Sequence, residues 1–73
     1  MNFDFGKALK KAQIDKGVRS KDLAESLGVY KQQVTRWRSM PDARMSLCMR
    51  MAKALDMDLV DFIRGGMWDT TSG

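Results

Sequence analysis

Residues 20–38 read SKDLAESLGVYKQQVTRWR, and the periodicity of this stretch decides the fold. Leu23, Ala24 and Leu27 recur at the three-and-four spacing of one helical face, Gly28 interrupts, and Val34 and Trp37 resume an inward face three residues apart. The pattern predicts two short helices joined by a tight turn. Helices crossing at a steep angle approach closely only where a side chain is small, which suits Ala24 to the crossing point. Gly28 can take the left-handed conformation that ends a helix without a Cβ penalty. Val29 follows as an apolar plug, and Leu23, Leu27, Val34 and Trp37 supply a shared core.

The outward face of the second helix follows from helical geometry. With Val34 at the centre of the buried side and a turn of about 100° per residue, Trp37 falls beside it and Gln32 and Arg36 fall nearly opposite. Gln33 and Thr35 flank that ridge, and Lys31 lies in the first turn. Gln and Arg are the side chains that hydrogen-bond in pairs to adenine and guanine edges in the major groove of DNA, and the compact charge of Lys suits a guanine edge or a phosphate. A solvated polar face is the plainer reading of the same residues.

Composition narrows the field. A chain of 73 residues has room for one domain with a small core and no deep substrate pocket. Its net charge is +4, unevenly spread. Between positions 7 and 50, eleven Lys/Arg face four Asp/Glu, a net of +7; from 51 to the end, two bases face four acids, a net of −2. The basic part coincides with the two-helix motif, which favours a polyanionic partner. Catalysis is not expected, because the chain contains no His, its single Cys48 falls on an apolar face, and no glycine-rich phosphate loop is present. Neither a metal nor a cofactor is expected, since no Cys/His cluster exists. Cys48 reads as a small buried thiol. The first residues, MNFDFGKALKKAQ, carry no apolar run suited to a signal peptide or a membrane span, so a cytoplasmic protein without a membrane partner is expected.

The flanking segments predict three further helices. After an arm at 1–4, a helix over 5–16 has Phe5, Leu9 and Ala12 facing inward, and Ile14 with them. Gly17 stops it and Val18 drops into the core. Ser20 is expected to cap the next helix, with Asp22 in its first turn favourable to the helix dipole. Pro41 follows the outward-reading helix, which is expected over 31–39. A helix over about 44–55 places Leu47, Cys48, Met51, Ala52 and Leu55 on one face. Asp58 then caps a last short helix with Leu59, Phe62 and Ile63, closed by Gly65 and Gly66. Residues 1–66 form the expected domain and 67–73 a tail, where Met67 and Trp68 either fold back over the core or pack against another subunit.

Leu23, Ala24, Leu27, Gly28, Val29, Val34 and Trp37 resemble, in register, the helix-turn-helix of the phage Cro and repressor proteins. The close of the chain, from Met51 through Ala52, Leu55, Met57 and Phe62, is similar to the same family, so the resemblance spans about residues 5–64. It implies an all-α, lambda-repressor-like bundle of about five short helices with a central helix-turn-helix. It further implies a transcriptional repressor that binds a double-stranded operator as a homodimer in a bacterial host, without a small-molecule ligand. Base reading falls to Lys31, Gln32, Gln33, Thr35 and Arg36, and phosphate contact to Arg19, Ser20, Lys21, Tyr30 and Arg38. Two positions depart from the family pattern. Ser20 stands where Gln usually buttresses the reading helix, and Tyr30 replaces the Ser or Thr that usually caps it; its ring either packs on the turn with the hydroxyl toward a phosphate or is purely structural. A restriction-modification controller, an antitoxin-type autoregulator and a protein-interaction module are the competing readings.

Overall fold

Asp4 starts the first helix. Its backbone is extended, and the Lys7 amide donates to its Oδ1 at 2.9 Å, so the side chain satisfies one of the open N–H groups of α1 (Phe5–Lys16). The computed structural model describes residues 2–68, the last of them through its backbone only. Met1 of the expected arm and residues 69–73 of the expected tail lie outside the described residues.

Four more helices follow: α2 (Ser20–Leu27), α3 (Lys31–Trp37), α4 (Met45–Ala54) and α5 (Leu59–Gly65). The all-α bundle of five short helices is therefore the observed architecture. One element was not anticipated. Asn2–Phe3 (β1) pairs antiparallel with Met67–Trp68 (β2), Asn2 opposite Trp68 and Phe3 opposite Met67. At the backbone level, then, Met67 and Trp68 fold back onto the N-terminal arm.

Phe5, Leu9, Leu23, Val34, Met51, Leu55 and Phe62 are the large side chains at the centre of the core. The rings of Phe5 and Phe62 meet at 5.9 Å with their planes 56° apart, joining α1 to α5. α2 packs on α3, and Ala24, the small residue expected at their crossing, is 4 % exposed. Gly28 takes φ 67°, and the Val29 amide donates to Ala24 O at 3.0 Å, so the turn closes as a left-handed cap.

Several expectations are corrected. Ile14 is 80 % exposed, because it lies five residues, or about 140°, beyond Leu9; the inward stripe runs Phe5, Leu9, Gln13 at four-residue steps. Ser20 is the first residue of α2, not its cap; Arg19 holds the cap position with no side-chain bond. Asp58 does precede α5, again without a side-chain cap bond. α3 ends at Trp37, short of 39, because the following segment turns away to serve α1: Met40 O and Pro41 O accept from the amides of Gly6 and Phe5 at 2.7 and 3.0 Å. That docking requires glycine at position 6, where a Cβ would stand 2.3 Å from Arg38 O.

Candidate nucleic-acid interface

α3 is held from behind. Val34 is fully buried and Trp37 is 7 % exposed, so the helix cannot roll without opening the core. On its other side Lys31, Gln32, Thr35 and Arg36 are exposed and Gln33 is half-buried. These five are the residues assigned to base reading, and four of them lie exposed on the outer side of the helix. The Thr35 hydroxyl donates to Lys31 O at 3.2 Å, which leaves its methyl group and the acceptor side of its oxygen for an outside contact. Such a methyl suits the 5-methyl of thymine.

Tyr30 precedes the helix and is 84 % exposed, with no cap bond from its side chain. It shares a shallow surface hollow with Gln32, Gln33 and Arg36. The ring is thus not part of the core.

The residues assigned to phosphate divide. Arg19 and Lys21 are exposed at the start of α2. Arg19, Ser20 and Arg38 line a second hollow together with Gln13, Gly17 and Val18; Lys21 does not reach it. Ser20 and Arg38 are half-buried and do not stand alone. Gln13 of α1, only 5 % exposed, touches both: its Nε2 donates to Val18 O at 3.2 Å and to Ser20 Oγ at 3.3 Å, and its Oε1 accepts a short bond from Arg38 Nη1. Sequence reading missed Gln13. The available signal was a lone amide on an otherwise apolar stripe, four residues after Leu9.

Two short helices at a glycine-capped turn, the second anchored inside and polar outside on the basic part of the chain, define a helix-turn-helix DNA-binding domain. The chain belongs to the Cro/C1-type HTH DNA-binding domain family, whose family model matches residues 8–64. No curated protein and no solved structure gives a match. The protein is accordingly a sequence-specific DNA-binding regulator. Among the described residues no helix is long and apolar enough to cross a membrane.

Proposed function

We propose that the protein is a transcriptional repressor of the phage Cro type, which binds a pseudo-palindromic operator as a dimer with α3 in the major groove. The observation that carries this reading is the ridge of Lys31, Gln32 and Arg36, exposed on a helix whose opposite side is locked into the core. A rigid helix is what base reading needs, since each side chain must meet a fixed pattern of donors and acceptors. Arg36 donates to guanine O6 and N7, Gln32 pairs with adenine N6 and N7, and Thr35 offers its methyl to thymine. Lys31 serves a guanine edge or the adjacent phosphate, and Gln33 borders the contact.

One such helix reads only about four to six base pairs, too few for discrimination among genomic competitors. Two copies on a two-fold symmetric site, their reading helices about one DNA turn apart, supply the missing specificity. Repression is then steric, by occupation of a site that overlaps a promoter, and no catalytic step enters.

Selection from a random duplex library in moderate salt tests the reading. Two short, inverted half-sites about one helical turn apart are the expected outcome. Enrichment of a single short site would remove the dimer, and binding without enrichment would remove base reading by α3.

A further inference from the structure

We propose that Gln13 is the positioning residue of the phosphate contact: from inside the fold it aims the Arg38 guanidinium and the Ser20 hydroxyl at a single DNA backbone phosphate. The inference rests on the DNA-bound arrangement proposed above.

The hydrogen-bond inventory dictates how the Gln13 amide must lie. A guanidinium can only donate and a backbone carbonyl can only accept. Oε1 therefore faces Arg38 and Nε2 faces Val18 O, which commits the second Nε2 hydrogen to Ser20 Oγ. Every polar atom of this buried amide is used, and turning it over would set donor against donor and acceptor against acceptor. The amide is thus fixed in one orientation.

That orientation has consequences at the surface. Ser20 Oγ spends an acceptor site on Gln13, and its own proton has no acceptor among the described residues, so it is free to donate into the hollow that Ser20 lines. Arg38 gives Nη1 to Oε1 and keeps further N–H groups with no protein partner among the described residues. Both side chains consequently present donors to the hollow they share with Arg19, whose lining contains no carboxylate. A cluster of donors with net positive charge and no acid fits an anion, and on duplex DNA the anion in reach of sequence-independent contacts is the phosphate. Gln13 lies on α1, Ser20 opens α2 and Arg38 closes α3, so one amide sets the position of this contact relative to three helices.

The test is a thermodynamic cycle on a random-sequence duplex about two helical turns long, with affinity followed against salt. Wild type, Gln13→Met, Arg38→Ala and the double variant are compared, each checked for folding by circular dichroism. Arg38→Ala is expected to lose about tenfold in affinity and to reduce the salt slope by about one. Gln13→Met, which keeps the volume and removes the amide, is expected to lose a similar factor and the same slope, and the double variant to bind no worse than Arg38→Ala. Additive losses, or a wild-type slope in Gln13→Met, would overturn the assignment. Should Gln13→Met not fold, the cycle of Ser20→Ala with Arg38→Ala decides: coupled losses support a shared amide and additive ones overturn it. Wild-type protein that holds no duplex at low salt would sink the DNA reading as well, whereas firm binding with additive losses would sink this inference alone.

Discussion

α1 and α2 end in the same way and are used differently. Each stops at a left-handed glycine, Gly17 at φ 64° and Gly28 at φ 67°, and each hands over to a half-buried valine whose amide bonds back to the residue four before the glycine. Val18 N donates to Gln13 O at 2.9 Å and Val29 N donates to Ala24 O at 3.0 Å. The backbone motif is one, but the side chain at its origin is not. Ala24 is small and apolar, and the second stop leads into α3. Gln13 is long and polar, and it bonds both Ser20 just past the first stop and Arg38 at the end of α3. A helix stop therefore fixes direction, while the residue one turn before it decides which neighbours are held.

The largest expected effect comes from removing that difference at the second stop. Ala24→Leu would force a branched side chain into a site 4 % exposed on α2, at a cost of about 3 kcal/mol. A loss of that size lowers the melting temperature by roughly 12 °C or more in a domain this small. An unchanged melting temperature would mean that α2 and α3 do not pack through Ala24.

Next in size are two arginines of α3 and its end, Arg36 on the exposed ridge and Arg38 bonded to Gln13. Arg36→Ala is expected to cost about 1–3 kcal/mol on the selected operator and little on random duplex, with relaxed preference at one base pair. Arg38→Ala is expected to weaken both duplexes alike. Equal losses from Arg36→Ala on the two duplexes would erase the division of labour between the two arginines.

Much of the motif was legible because it is local. The spacing of Leu23, Ala24 and Leu27, the break at Gly28 and the faces of α3 all follow from helical periodicity, and exposure of Lys31, Gln32, Thr35 and Arg36 is the direct result of burying Val34 and Trp37. What was missed is non-local. Gln13 acquires its partners only when Ser20 and Arg38 arrive from other helices, so the lone amide on an apolar stripe marks the position as unusual without naming its partners. Gly6 has an unexceptional place in α1, and its need for glycine arises from Arg38 O, which is 32 residues away in the chain. The ladder joining residues 2–3 to 67–68 is likewise too short for an alternating pattern. Ile14 was misread for a simpler reason, since an apolar residue was placed inward against the helical angle.

Smaller effects test whether the two stops are equivalent as backbone. At both Gly17 and Gly28 a Cβ would meet nothing within 4 Å, so an alanine there suffers only from its left-handed conformation. Gly17→Ala and Gly28→Ala should each cost about 1 kcal/mol in stability, measured by denaturant unfolding. A markedly larger loss at one position would show that its stop carries strain the other lacks.

The smallest effect is a pH dependence arising from neither stop. Cys48 on α4 is 2 % exposed; burial raises its thiol pKa, the charge of Asp42 adds to the rise, and a backbone hydrogen bond opposes it. The folded state therefore holds the thiol proton more tightly than the unfolded chain does. The stability this brings is complete below the pKa of the unfolded thiol and is lost as pH climbs from there through the raised folded value. Denaturant unfolding of reduced protein across mildly alkaline pH should show a decline that Cys48→Ala lacks. Because Gln13, Gly17, Ala24 and Gly28 do not ionise, the costs of the two glycine substitutions should stay constant over the same range. A glycine cost that moved with pH would tie one of the stops to a titrating group, and the two would no longer be the same backbone device.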